Sequence, residues 1–398
     1  MRTLTTRLAL RTLGVSTLGA FGILGTLGAG TANAAGVPAQ APTTSLVVGH
    51  VYVDDNTAGT NTIGAFDRHA NGSLTALTGS PFAAGGAGTG AGLASQGALQ
   101  LSSDGRFLVA VDAGSNQVSV LKIEADGSVK LVPGGVVSSG GPTPVSIAVN
   151  DNLVYVANAG AVGPNYTGFT LNGGGKLRPL ANSTVSLPNG SQPGDVLFNS
   201  SGTSLVGTRV GTSEIDSFVV GKGGLLTAAP GSPLPAQGLG PFGSEFRPTN
   251  SSQLFVSNAH NVGAGTGTIS AFDVAKNGSL SSIGATPFAD EQTAPCWVEI
   301  TPNGQFLFTV NTGSGEISRY SIAHDGILTL LGSTPVGATG GVGAVDARLS
   351  PNGRTLFVDE SRIGAVGAFA VNGGNLTELP GSPTALPAGA TPAGIVVN

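Results

Sequence analysis

A phrase that recurs seven times along the chain constrains its fold more than any other feature. Each copy has a short apolar strand ending in a large side chain, a polar turn ending in glycine, and then an apolar residue. One copy is Ile-Ser-Ala-Phe at 269–272 followed by Asn-Gly-Ser-Leu at 277–280. The large residues that anchor the copies are Phe66, Leu121, Phe169, Phe218, Phe272, Tyr320 and Phe369. A sequence unit that recurs at a regular interval is typical of proteins built from stacked copies of one small structural unit.

Each repeat contains two hairpins and therefore four short strands, which we name a, b, c and d in chain order. Asn-Gly and Asp-Gly pairs, as at 71–72 and 325–326, tolerate positive φ and close tight antiparallel hairpins between strands c and d. A second hairpin precedes the phrase in most repeats, with turns such as Pro-Asn-Gly at 302–304 and 351–353. It joins strands a and b.

Seven four-stranded antiparallel units predict an all-β fold, a seven-bladed β-propeller over residues 45–398. The segment 391–398 resembles a strand a, and 45–53 resembles a strand b. We therefore expect the C-terminal strand to pair with the N-terminal blade, which closes the ring without an exposed sheet edge. The alternative is a β-solenoid, whose coils are shorter and need no such complementary ends.

The first 34 residues have the pattern of a secretory signal peptide. Arg2, Arg7 and Arg11 precede an uncharged run from 12 to 30, and Ala-Asn-Ala at 32–34 fits the cleavage rule. We expect a secreted protein with a linker at 35–44 and no membrane span after cleavage. A retained membrane anchor is the alternative, although glycines recur through the run. The single cysteine, Cys296, excludes an intrachain disulfide.

The net charge of the chain and the spacing of its histidines limit the nucleic-acid and metal partners that we expect. The net charge is −5 and Lys and Arg form no cluster, so a nucleic-acid partner is not expected. The histidines His50, His69, His260 and His324 do not have the spacing of metal ligands. We expect no metal, no cofactor and a monomer.

The alignment of the seven strands a places polar residues near the propeller axis. Strand a lines the central channel of a propeller, and the d–a and b–c loops share one face. Alternation along the strand puts a polar set on the channel side, namely Asp195, Glu245, Glu299, Asp346 and Arg348. These side chains either pair with one another, so that each buried charge has a partner, or they form a pocket for a small anionic or lactone ligand.

The loops on the same face add further candidates, His260 and Arg209 after strands b and Trp297 at the channel mouth. We assign Glu245, Glu299 and His260 as candidate catalytic residues. The candidate substrate-binding residues are Arg209, Arg348, Asp195, Asp346 and Trp297.

The segment 295–320 and the recurring Gly-Ser-Pro resemble the lactonase-type seven-bladed propellers. That group includes bacterial 6-phosphogluconolactonases and fungal carboxy-cis,cis-muconate lactonizing enzymes, and it is similar to YVTN-repeat propellers. The resemblance implies a pocket with His, Arg and Glu on the loop face, for which Glu245, Arg247, Arg209 and His260 are the candidates here.

Two functions follow from these observations. The first is a secreted hydrolase or isomerase of a lactone or small carboxylate, in which a carboxylate activates water and an Arg holds the oxyanion. The second is a non-catalytic extracellular propeller that binds a protein, glycan or cell-wall partner through its loop face.

Overall fold

A computed structural model describes residues 45–284, 287–337 and 343–398. These residues form seven antiparallel sheets arranged as the predicted β-propeller, and the described strands alternate with turns and loops rather than helices. No helix in these ranges has the length and hydrophobicity needed to cross a membrane. The predicted signal peptide (1–34) and linker (35–44) lie outside the described residues.

The strands follow one another blade by blade. The first four blades contain β1 (Val47–Asp54), β2 (Gly59–His69), β3 (Leu74–Ala76) and β4 (Phe82–Gly88); β5 (Leu99–Leu101), β6 (Phe107–Asp112), β7 (Gln117–Ile123) and β8 (Val129–Ser138); β9 (Pro144–Asn150), β10 (Leu153–Asn158), β11 (Asn165–Leu171), β12 (Leu177–Pro179) and β13 (Val185–Ser186); and β14 (Pro193–Phe198), β15 (Ser204–Arg209), β16 (Glu214–Val220), β17 (Leu226–Ala228) and β18 (Leu234–Pro235).

The last three blades contain β19 (Pro241–Arg247), β20 (Asn250–Asn258), β21 (Thr268–Val274), β22 (Leu280–Ser282) and β23 (Phe288–Ala289); β24 (Pro295–Ile300), β25 (Phe306–Asn311), β26 (Glu316–Ile322) and β27 (Leu328–Pro335); and β28 (Ala344–Leu349), β29 (Thr355–Glu360), β30 (Ala365–Asn372), β31 (Asn375–Glu378) and β32 (Thr384–Ala385). The final strand, β33 (Gly394–Val397), belongs to blade 1.

The outer strand d differs from the expected single strand in five blades, where it is split into two pieces that both pair with strand c. In blades 1, 4, 5 and 7 the break contains proline, as at Pro81 and Pro287. Proline has no N–H to donate to the ladder, so it interrupts the strand at the sheet edge.

The glycine of each c–d turn lets the blades pack closely. These glycines have φ between 77° and 85° and are Gly72, Gly127, Gly175, Gly224, Gly278, Gly326 and Gly374. A Cβ at Gly127 would collide with His50 of the preceding blade, and one at Gly374 would collide with Phe306. The repeated glycine therefore serves both the turn and the contact with the neighbouring blade.

Apolar side chains between adjacent blades form the core. Val206 and Ile215 of blade 4, for example, pack with Leu254 and Phe272 of blade 5. Equivalent clusters join the other neighbouring blades among the described residues. Each sheet thus buries both faces against its neighbours, as the apolar character of the strands predicts.

The ring closes as expected from the sequence. β33 pairs antiparallel with β1, with Val397 opposite Val51. The Arg68 guanidinium donates from Nη2 to the main-chain oxygen of Asn398 at 2.7 Å, and the His50 N–H donates to Asn398 Oδ1 at 2.7 Å. Strand a of blade 1 is thereby held by side chains as well as by the sheet.

Candidate functional site

The linker from blade 1 to blade 2 folds across the central channel. It spans residues 89–98, whereas the linkers into blades 3 and 5 span only 139–143 and 236–240. Its Ser95 and Gln96 side chains are buried. We call residues 92–97 the plug, because they separate the loop face from the channel.

Hydrogen bonds fix the plug to the inner strands across the ring. The Gln96 amide donates to the Ser244 carbonyl at 2.9 Å, and its oxygen accepts from the Val298 N–H at 2.9 Å. The Trp297 indole N–H donates to the Ser95 carbonyl at 2.8 Å. A segment that follows blade 1 is therefore joined directly to blades 5 and 6.

Asp195 and Asp346 lie at the level of the plug and are engaged with it or with neighbouring strands. Asp346 accepts from the Gly97 N–H at 3.3 Å. Asp195 accepts from the Ser244 hydroxyl at 2.6 Å and from the Ser146 hydroxyl at 3.2 Å. Burial raises the pKa of each carboxyl to about 7, because removal from water disfavours the charged form.

Glu245, Glu299 and Arg348 come together in the channel. Along their strands they lie one or two residues beyond the level of Asp195 and Asp346. Arg348 Nη1 lies 2.9 Å from Glu299 Oε1, and Glu299 Oε2 accepts from the Leu349 N–H at 3.0 Å. Burial, reinforced by the Glu299 charge, raises the pKa of Glu245 to about 8. Burial also raises the pKa of Glu299, although Arg348 opposes that shift.

A cavity of about 610 Å³ occupies the loop face at the channel mouth, on the other side of the plug. We call it the mouth pocket; its lining includes Leu93, Phe242, His260, Trp297, Val345 and Arg362. The starts of strands a, the loops after strands b and the plug build its walls. Its lining does not include Glu245, Glu299 or Arg348, so the plug separates the channel charges from this pocket.

The remaining predicted site residues are divided between these two regions and a third. Trp297 and His260 line the mouth pocket, where Trp297 is buried and His260 is exposed. Arg209 is at neither place, because its Nε donates to Asp216 at 2.6 Å and its Nη1 to Glu214 at 3.0 Å. The buried Arg209 thus ties strand b to strand c within blade 4.

Arg247, a candidate from the family resemblance, also lies away from the mouth pocket. Its Nε donates to the Gly304 carbonyl at 2.8 Å and its Nη1 to the Gln253 side chain at 2.8 Å. It fastens the a–b end of blade 5 to the turn of blade 6. Within the described ranges, moreover, His, Cys, Asp and Glu form no group of three arranged to hold a metal ion.

Sequence reasoning did not identify the plug, nor Phe242, Cys296 and Arg362 in the pocket lining. The available signal was the length of the linker at 89–98 and its Ser-Gln pair within a glycine-rich stretch. Burial raises the pKa of the Cys296 thiol to about 11, so the thiol is protonated at neutral pH and is a poor nucleophile.

The blades and the mouth pocket define a seven-bladed β-propeller with a ligand-sized pocket at one end of its channel. The sequence matches the family "Lactonase, 7-bladed beta-propeller" over residues 59–198 and 244–392. These residues make up more than half of the chain, and the chain belongs to this family of lactonase-type propellers.

Solved structures share the fold at low identity. A putative 6-phosphogluconolactonase from Bacteroides uniformis is 18% identical, with a TM-score of 0.70, covering 89% of this chain and 100% of the other. The periplasmic gluconolactonase PpgL of Pseudomonas aeruginosa is 16% identical, with a TM-score of 0.69, covering 88% and 98%. No curated protein matches the sequence significantly.

Proposed function

We propose that this protein hydrolyses a lactone bound in the mouth pocket. The observation that carries the proposal is a cavity of about 610 Å³ on the loop face of a chain that belongs to the lactonase propeller family. A concave, largely apolar pocket with a few convergent polar groups is the usual form of a small-molecule site. His260 and Arg362 supply such groups at its rim.

His260 is the proposed general base. Its imidazole takes a proton from water, and the resulting hydroxide attacks the lactone carbonyl. Arg362 stabilises the negative oxygen of the tetrahedral intermediate. The ring C–O bond then breaks, and the leaving alkoxide takes the proton back from the imidazolium, which leaves a hydroxy acid and the resting enzyme.

The channel carboxylates are not part of this mechanism, because the plug lies between them and the mouth pocket. Of the candidate catalytic residues, only His260 lines that pocket. In this proposal Glu299 and Arg348 pair with each other, and burial beside the Glu299 charge raises the pKa of Glu245. In this proposal the channel carboxyls and Arg348 only balance one another's charge inside the ring.

The proposal is tested by measuring the ring opening of glucono-δ-lactone and γ-alkyl lactones. A pH-stat records the acid that each reaction releases. We expect His260→Gln to lower kcat/KM by roughly 10²-fold or more, the usual contribution of a general base. His324→Gln is the matched control, since that exposed histidine lies in a c–d turn. Equal rates for these two variants, with turnover abolished by Glu245→Gln or Glu299→Gln, would place the reaction in the channel instead.

Mass spectrometry and chromatography of the recovered compounds separate hydrolysis from the other candidate activities. Hydrolysis adds the mass of water to the substrate, whereas isomerisation leaves the mass unchanged. Lactones that are recovered with neither mass nor structure changed would instead support the non-catalytic alternative. We also propose that the protein acts outside the cell, on the basis of the signal-peptide pattern at 1–34.

A further inference from the structure

The walls of the mouth pocket offer few free hydrogen-bond donors, because the lining hydroxyls already donate to main-chain oxygens, namely those of Ser95, Thr312, Ser361 and Thr391. Phe242 and Trp297 pack edge to face, with ring centroids 5.3 Å apart. The indole N–H of Trp297 is already donated to the Ser95 carbonyl at 2.8 Å. The Cys296 thiol is buried and directed to the Ala294 carbonyl at 3.3 Å. These side chains therefore present mainly carbon and sulfur surface to a ligand.

The charged side chains of the pocket lie in the b–c loops of blades 5 and 7. Leu93, Val345 and Pro392 line it as apolar residues, while His260 and Arg362 are exposed at the rim. A sugar phosphate would set hydroxyl groups against these apolar walls, and burying a hydroxyl without a partner is unfavourable. A phosphate dianion is also usually held by several donors, often bidentate Arg.

We infer that the mouth pocket binds lactones carrying an alkyl or aryl substituent, with the apolar substituent against Phe242, Trp297 and Val345 and the carbonyl toward His260 and Arg362. The inference rests on the proposed function for the lactone ring, but the apolar character of the ligand follows from the lining alone. It predicts that affinity depends on the substituent and that a phosphate group adds nothing.

Trp297 makes a direct binding test possible, because it is the only tryptophan of the chain and it lines the pocket. Its fluorescence is followed during titration of the purified protein with γ-valerolactone, γ-octalactone and γ-decalactone. We expect Kd to fall on the order of tenfold for each two added methylenes, as burial of alkyl groups predicts. Gluconate 6-phosphate is expected neither to change the signal nor to compete.

Two aspartate variants locate the binding. Val345→Asp places a charge in the lining and is expected to weaken γ-decalactone binding at least tenfold. Val162→Asp is the control, because Val162 is 73% exposed and is not among the lining residues. Thermal melting shows whether Val345→Asp is folded; if it is not, the chain-length series of the wild-type protein decides by itself.

The outcomes distinguish this inference from the proposed function. Alkyl lactones that bind with the expected trend but are not hydrolysed would support the ligand class and overturn the hydrolase. Conversely, hydrolysis of glucono-δ-lactone that depends on His260, with no binding of or inhibition by γ-decalactone, would support the hydrolase and overturn the ligand class. A flat dependence of Kd on chain length, or tighter binding of gluconate 6-phosphate, would also overturn it.

Discussion

Arg348 Nη1 lies 2.9 Å from Glu299 Oε1 inside the propeller channel, and this contact joins the inner strands of blades 6 and 7. Glu299 also accepts from the Leu349 N–H at 3.0 Å. We therefore predict that Glu299→Gln lowers the free energy of unfolding by about 1–3 kcal/mol, because it removes the carboxylate that pairs directly with a largely enclosed guanidinium.

Urea denaturation measures this effect, and the double variant Glu299→Gln/Arg348→Met is its control. Removing both charges should recover much of the lost stability, since the cost comes from one unpaired charge rather than from the missing contact. A double variant that is less stable than Glu299→Gln alone would contradict this account.

The plug provides a second prediction about stability. Gln96 donates to the Ser244 carbonyl and accepts from the Val298 N–H, both at 2.9 Å. Gln96→Ala leaves these buried groups unpartnered, and we expect a loss of about 1–3 kcal/mol per orphaned group, reduced where water enters. The measurement is urea denaturation combined with hydrogen exchange of the Val298 amide, which should become much faster.

Gln100→Ala is the matched control for the plug, because Gln100 is a half-buried amide side chain on strand a of blade 2. It should leave the exchange of the Val298 amide unchanged. Equal effects of the two variants would mean that the plug is not held by the Gln96 amide.

The propeller and its closure are predictable because each repeat contains the residues that determine its own turns and its contacts with the next blade. A glycine such as Gly127 is required both by its turn, with φ of 81°, and by its contact with His50 in the neighbouring blade. The same requirement recurs in every repeat. The periodicity of the sequence therefore predicts the four-stranded blade, the number of blades and the partial repeats at the two termini that complete one blade.

The site is less predictable because it depends on departures from the repeat. The plug occurs once, so no other copy shows that Gln96 reaches Val298, a residue 202 positions away. Alternation correctly groups Glu245, Glu299 and Arg348 on the channel side, but it cannot show that a linker separates them from the loop face. The pairing of Arg209 with Asp216 across a b–c hairpin is accessible to local reasoning. Arg209 lies opposite Glu214, and Asp216 is two residues farther along strand c, a diagonal position within reach of a long side chain.

Processing of the N-terminus gives a prediction that is independent of the fold. If residues 1–34 are a signal peptide, exported protein begins at Ala35, because Ala32 and Ala34 satisfy the small-residue rule. Intact-mass measurement of protein recovered from the culture medium checks this. Exported protein that retains residues 1–34 would instead support the membrane-anchor alternative.

Deletion of residues 392–398 tests the closure of the ring. The deletion removes β33, so β1 keeps β2 as its neighbour but loses its other partner strand and exposes a sheet edge. We expect the melting temperature to fall on the order of 10 °C or more, or the protein to aggregate. Arg68→Met, which removes the bond to Asn398 but keeps β33, should have a smaller effect. A truncated protein that melts like the full chain would contradict the closure.

Buried carboxyls near the seam between blades 7 and 1 predict how stability depends on pH. Both carboxylate oxygens of Asp359 and of Glu360 lack a hydrogen-bond partner among the described residues. Glu360 faces Gly367, whereas the equivalent Asn311 of blade 6 bonds to the Ser318 hydroxyl at 2.9 Å. Burial raises the pKa of Glu360 to about 7 and raises that of Asp359 as well.

These shifts fix the sign of the effect. A carboxyl whose pKa is higher in the folded state binds more protons folded than unfolded, so stability decreases as pH rises from the unfolded pKa to the folded one. We expect the free energy of unfolding to fall between about pH 5 and pH 8 and Glu360→Gln to recover about 1–2 kcal/mol at pH 8. At pH 5, where Glu360 is already protonated, the same substitution should have little effect. Asp273→Asn, at an exposed position of β21, is the control and should leave the slope unchanged; equal slopes for Glu360→Gln and the wild-type protein would show that Glu360 is not responsible.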